Sequence, residues 1–131
     1  MDDYADGLSI PTAGLFLTAR DWALVADFIQ ERINQNNCMG KYLKECINSA
    51  SKPSRTKWWM FGYHFWTTKI GSQLIIIFAG YGGQSIFINP KTQEVVMASS
   101  VNPKYRSSNV FKQVQKVLKE AGEQSFAFAV S

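Results

Sequence analysis

Leu74, Ile75, Ile76, Ile77, Phe78 and Ala79 form a continuous apolar run, and Gly80, Tyr81, Gly82 and Gly83 follow it at once. The run is far short of the roughly 18 apolar residues a membrane helix needs. It has the length and β-branched content of a strand, and its lack of alternation predicts a strand buried inside the protein. On either side the texture is also that of strands. Residues 58–67 are aromatic-rich, residues 84–88 alternate apolar and polar, and residues 94–99 form another strand beyond the turn chemistry of Asn89, Pro90, Lys91 and Thr92. Links this short make neighbouring strands antiparallel.

Helices flank this meander. Thr18 followed by Asp21 is a helix start: a threonine hydroxyl takes up a free N–H group, and the acid favours the helix dipole. Trp22, Val25, Ala26, Ile29 and Ile33 then recur at helical spacing, which predicts a helix over residues 19–34 stopped by Asn36 and Asn37. A short second helix is expected over 41–49, with Tyr42, Leu43, Cys46 and Ile47 inward. Residues 50–56 read as a loop. At the far end, Ser107 or Ser108 can cap a helix with Val110, Phe111, Val114, Val117 and Leu118 inward, closed by Gly122. Lys112, Lys116 and Lys119 fall mostly opposite that stripe. A membrane-surface helix would show the same pattern, but one lying on the sheet explains it more simply. The expected fold class is α+β: a helical segment (1–56), an antiparallel β-meander (57–106), a C-terminal helix on the sheet (107–122) and a tail (123–131), all in one domain of 131 residues.

Composition narrows the function classes. At 46% hydrophobic and 18% charged, the chain is globular in composition and neither disordered nor fibrous. Its opening residues are acidic and lead into no apolar stretch, so no secretory signal is expected there. Cys38 and Cys46 make no disulfide framework and read as free thiols or small buried hydrophobes; no Cys/His cluster has zinc spacing, so neither metal nor cofactor is expected. The single histidine, His64, excludes a site built from two imidazoles and reads as a strand residue with a local hydrogen bond. The net charge of +4 arises from lysines and arginines spread over several elements, which form no nucleic-acid motif. A solvated basic surface explains them, and neither a nucleic-acid partner nor a membrane span is expected.

The glycine cluster is the informative stretch. Clustered glycines permit close backbone approach by a ligand or another segment, and they equally suit a bulge or tight bend. They are not a phosphate loop, because the G-x-x-x-x-G-K-[ST] pattern is absent and no helix follows. Gly80, Tyr81, Gly82, Gly83, Gln84, Ser85, Ile86, Phe87, Ile88, Asn89 and Pro90, followed by Glu94, Val95 and Val96, resemble the C-terminal sheet of the serine β-lactamase-like hydrolases. That superfamily includes class C β-lactamases, penicillin-binding DD-peptidases, esterases and 6-aminohexanoate-dimer hydrolases. Residues 13–23 resemble its segment entering a helix of the all-helical region, and residues 61–66 resemble the strand before the glycine motif. The blocks occur in the family's order.

The resemblance implies a partial β-lactamase/transpeptidase-like fold of bacterial origin and an acyl-transfer activity on an ester or amide. It also shows what this chain lacks. The family's nucleophile lies in an S-x-x-K motif assisted by a Y-x-N tyrosine, both upstream of anything here. Two S-x-x-K strings, from Ser49 to Lys52 and from Ser54 to Lys57, fall in the polar loop, whereas the family places its serine at a buried helix start. They are rejected as nucleophiles. The family's third box, Lys-Thr-Gly or His-x-Gly, aligns with Phe78, Ala79 and Gly80, so no cation is available for a substrate carboxylate. That leans away from β-lactam recognition and toward esters or amides such as 6-aminohexanoate oligomers. By the same resemblance the Tyr81 backbone N–H serves in the oxyanion hole, a role that needs no particular side chain. Ala79 and Gly80 belong to the substrate wall, and Gly82 and Gly83 let substrate approach the strand edge. Gln84 orients the loop or is a plain surface residue; Tyr63 and Trp66 are pocket wall or core.

The expected function is therefore the substrate wall and oxyanion element of a serine hydrolase, inactive alone. The alternative is a binding or interaction module that kept the fold and lost catalysis. In the family, the sheet and the terminal helix pack against N-terminal elements absent here, so a homodimer or an N-terminal partner chain is expected to cover an open sheet edge and helix face. The compartment is not legible.

Overall fold

A computed structural model describes residues 16–50, 52–53, 59–63, 65–99, 102, 104 and 107–121. Helix α1 (Ala19–Ile33) starts where the capping residues predict: Thr18 Oγ1 accepts the Asp21 N–H at 3.2 Å and donates to the Asp21 carboxylate at 2.7 Å. Helix α2 (Cys38–Asn48) starts a turn earlier than expected. Asn34 is the C-cap of α1, and Asn37 caps α2, its Oδ1 accepting the Gly40 N–H at 2.9 Å. The tight link brings the backbones together at Gly40, where a Cβ would lie 2.0 Å from the Gln35 carbonyl oxygen and 2.7 Å from that of Arg32. Only glycine fits that crossing.

Six strands follow in a simple antiparallel meander whose spatial order is the chain order: β1 (Lys52–Pro53), β2 (Met60–Gly62), β3 (Phe65–Ile70), β4 (Gln73–Ala79), β5 (Ser85–Asn89) and β6 (Glu94–Ala98). The chain closes with α3 (Ser107–Ala121). The architecture is α+β with the terminal helix on the sheet, as the pattern predicts. Two details differ. The aromatic stretch 58–67 is not one strand: Tyr63, at φ 42°, turns the chain, so β2 and β3 form a hairpin with Phe61 opposite Trp66. The segment read as a loop before it supplies the short strand β1, paired to β2. At Gly62 a Cβ would meet the Ala50 backbone at 2.7 Å, so the end of β2 is pressed against the exit from α2. His64, Trp58, Ser54 and Gly122 lie outside the described residues.

Alternation along β4 and β5 sorts side chains onto two faces. Ile75, Ile77 and Phe87 pack with Val110, Phe111, Val114 and Leu118 of α3, joined by Trp59 and Ile70. Ile76, Ile86 and Ile88 pack with Ala26 and Ile33 of α1 and with Leu43 and Ile47 of α2. The register places Ile77 opposite Phe87 and Ile76 opposite Ile88, so each face has cross-strand apolar pairs. Thus the apolar run is a strand covered by helices on both sides. Its end is pinned by Asn89, a buried residue whose Nδ2 donates to Gln73 Oε1 while its Oδ1 accepts the Lys91 N–H at 3.1 Å.

The outer face of α3 is polar, with Asn109, Lys112, Gln113, Lys116 and Lys119 exposed. Among the described helical residues, the large apolar side chains left exposed are Leu24 and Phe28 of α1 and Met39 and Tyr42 of α2. No described helix is long and apolar enough to cross a membrane.

This packing predicts Phe87→Ala to destabilise the chain by about 3–5 kcal/mol and Thr18→Ala by about 1 kcal/mol. Urea unfolding followed by circular dichroism measures both; equal losses for the two variants would contradict the layer assignment.

Candidate functional site

Small residues gather where β4 turns into β5 and where β6 ends. Ala79, Ser85 and Ala98 stand side by side in the register on the α3 face of the sheet, while Phe78, Ile86 and Met97 face α1. The first half of α1 crosses this end of the sheet, leaving a cleft of about 390 Å3. Leu17, Trp22, Val25 and Ile29 line it on the helix side, and Phe78, Ile86 and Met97 on the sheet side. Leu17 and Trp22 occupy the two positions of a hydrophobic staple around the Thr18 cap, so the feature that starts the helix also forms the cleft wall. Phe78 is braced from β3 by Phe65, whose ring meets it edge-on at 5.6 Å.

The turn between β4 and β5 determines what the glycines do. It is a 3-10 turn over Tyr81–Gly83, closed by the Gly80 N–H donating to the Gln84 carbonyl at 2.7 Å. Gly82 and Gly83 have φ values of 72° and 90°, the left-handed region that a residue with a Cβ enters at a cost. The tight-bend alternative thus describes both. Their carbonyls are also engaged: Gly82 accepts the Asn102 N–H at 2.9 Å, and Gly83 accepts the Ser85 hydroxyl at 3.3 Å. Gly80 is extended, and a Cβ there would sit 3.4 Å from the Gln84 Cβ and Oε1. The Gln84 carboxamide therefore folds over Gly80 at the cleft mouth.

Of the residues singled out from the sequence, Ala79, Gly80 and Gln84 line the cleft; Gly82 and Gly83 do not. Tyr81 heads the turn. Trp66 packs in the core, edge-on to Trp59 at 5.9 Å, while Tyr63 is exposed at its turn, so neither forms the cleft wall. Ser49 is the C-cap of α2, and its hydroxyl donates to the Cys46 carbonyl at 2.9 Å. A serine at that end of a helix lacks the N–H dipole that activates a nucleophile. Cys38 is exposed and Cys46 buried, both as free thiols. A hydrogen bond with Cys46 raises the Tyr42 phenol above its ordinary value, away from the cleft.

Trp22, Val25, Ile29 and Met97 appear in the sequence only as core positions on periodic faces. Nothing local distinguishes them from core, because the cleft arises where α1 crosses the end of the sheet. None of the described residues lining the cleft is titratable, and no group of described Cys, His, Asp or Glu side chains is placed to hold a metal. The cleft can hold an apolar group with main-chain and carboxamide groups at its rim. A second depression, about 1020 Å3, is lined by Thr67 and Thr68 from opposite sheet faces and so wraps around the end of the sheet. No protein-family model matches the chain, and neither a curated protein nor a solved structure is significantly similar to it.

Gly82→Ala is expected to cost about 1–2 kcal/mol because it forces a Cβ into the left-handed region. Gly80→Ala should be nearly neutral, since the new methyl meets only a movable glutamine. Thermal and urea melts of the two variants check this, and equal losses would contradict the turn geometry.

Proposed function

We propose that this chain is the C-terminal part of a serine hydrolase of the β-lactamase-like superfamily. In this reading it supplies substrate wall and oxyanion backbone to a nucleophile carried elsewhere, and performs acyl transfer on an ester or amide only when joined to that element. One observation carries the reading: the segments that resemble the family meet around a single cleft. Trp22 of the helix-entry segment, Phe78 at the end of the apolar strand, and Gly80 and Gln84 of the glycine motif line it, and Phe65 of the preceding strand braces Phe78. Segments far apart in sequence that converge on one concavity are the expected layout of a substrate site.

The division of labour follows from the chemistry. An oxyanion donor is a backbone N–H fixed in place, and the Gly80–Gln84 hydrogen bond fixes the turn from which Tyr81 would offer one. A nucleophile needs an adjacent base, and none of the described residues lining the cleft is one. A partner carrying S-x-x-K and Y-x-N would supply both, and the exposed Leu24, Phe28, Met39 and Tyr42 would give it an apolar surface to cover.

Treatment of the purified chain with a fluorophosphonate should leave its intact mass unchanged. Adding a second chain that carries the superfamily's S-x-x-K and Y-x-N motifs should produce one adduct, on the second chain's serine. An adduct on Ser49 or Ser54 of this chain, or a second chain whose labelling is indifferent to this one, would contradict the proposal.

A further inference from the structure

Helices α1 and α2 form one layer on the sheet. They bury Ala26, Ile33, Leu43 and Ile47 against Ile76, Ile86 and Ile88, so the sides they turn away from the sheet make a common surface. That surface is continuous across the joint. Arg32 lies over the Phe28 ring at 4.7 Å and donates through Nη1 to Gln35 Oε1 at 2.9 Å. The same oxygen accepts at 2.7 Å from the carboxamide of Asn37, the cap of α2, and Met39 follows two residues on. Leu24 and Phe28 of α1 and Met39 and Tyr42 of α2 are each about half exposed there.

From this surface we infer that a second copy of the chain docks on the α1–α2 face about a two-fold axis, with α1 of each copy against α2 of the other. The inference is independent of the hydrolase reading. It concerns the chain by itself, and a chain carrying the nucleophile motifs would compete for the same face.

Charge selects the occupant. A two-fold interface must be complementary to itself, because each copy offers the same patch. Helix α1 exposes Asp21, Asp27 and Glu31 against Arg20, and α2 exposes Lys41 and Lys44 against Glu45. Among the described residues the ion pair formed is Lys116 with Glu120 on α3, so Asp27, Glu31, Lys41 and Lys44 are not paired with one another inside one copy. The two-fold arrangement sets Leu24 and Phe28 against the other copy's Met39 and Tyr42, and the acids of α1 beside the lysines of α2, twice over. An apolar centre with a charged rim is the ordinary anatomy of such interfaces. Packing α1 on α1 would bring acid against acid, and a lipid or other uncharged apolar surface would leave these charges desolvated and unpaired. Two of the anchors are already held in place, Phe28 under the Arg32 guanidinium and Tyr42 by its hydrogen bond with Cys46, so docking orders little that is free.

The test is sedimentation velocity on the full chain over about 1 to 200 µM, where a dimer of this kind reveals itself by its concentration dependence. The chain should dimerise, and Phe28→Asp should stay monomeric with unchanged circular dichroism. Asp27→Lys with Glu31→Lys should raise the dissociation constant at least about tenfold, and Lys41→Glu with Lys44→Glu should do the same. Mixed in equal amounts, those two double variants should associate as tightly as the original chain, because each supplies the charges the other now needs; that recovery also shows both to be folded. A chain that stays monomeric, a dimer indifferent to Phe28→Asp, or double variants that fail to associate on mixing would overturn the inference. So would dimerisation that appears only after residues 1–15 are removed, which would assign the face to the chain's own leading segment. Restored fluorophosphonate labelling in the two-chain experiment without any dimer of this chain would remove this inference alone; a dimer without restored labelling would remove the hydrolase reading alone.

Discussion

The β4–β5 pair is packed on both faces, and the rest of the structure depends on that constraint. Ile75, Ile76, Ile77 and Ile88 have no exposed surface, and Phe87 has almost none. A strand buried on two sides requires two covering layers, because an apolar face left in water forfeits roughly 25 cal/mol for each Å2 exposed. Helices α1 and α2 cover one face and α3 the other, so the three helices are consequences of one strand pair. The same pair fixes the cleft: Phe78 and Ile86, opposite each other in register, continue the helix-facing row past the point where α1 has side chains long enough to fill the space.

Much of this was legible in the sequence for reasons that are local. The Thr18 cap, the period of Trp22, Ala26, Ile29 and Ile33, and the apolar strand before Gly80 are each specified within a few residues, and the structure follows them closely. Features that depend on distant parts of the chain were not legible. Tyr63 takes a positive φ that an aromatic residue rarely adopts, so no turn signal marks the break between β2 and β3. Lys52 and Pro53 form a strand only because β2 runs beside them. Asn37 looks like a helix stop, but α1 already ends at its C-cap Asn34, and Asn37 is instead the N-cap of α2.

The candidate site shows the same division. The glycine cluster marks a special backbone, and local reasoning leaves a tight bend and a ligand approach equally open. The structure separates the cluster into parts: Gly82 and Gly83 make the bend, while Gly80 opens the cleft mouth under Gln84. The opposing wall could not be read locally, since Trp22, Val25 and Met97 carry the same periodic pattern as buried core. The void lies where α1 crosses the end of the sheet, and that is a property of the fold. None of the described residues lining the cleft is charged, so in the proposed reading the reacting group comes from outside it.

Native-state hydrogen exchange tests the dependence on the central pair most directly. The backbone amides of Ile76, Ile77, Phe87 and Ile88 should exchange only through global unfolding, with a free energy equal to that from urea denaturation. The amides of β6 and of the first turns of α1 beside the cleft should open at lower free energy. Exchange of the β4–β5 amides through local opening, at rates matching those of β6, would contradict the account, because a pair that opens independently of its covering helices cannot be what organises them.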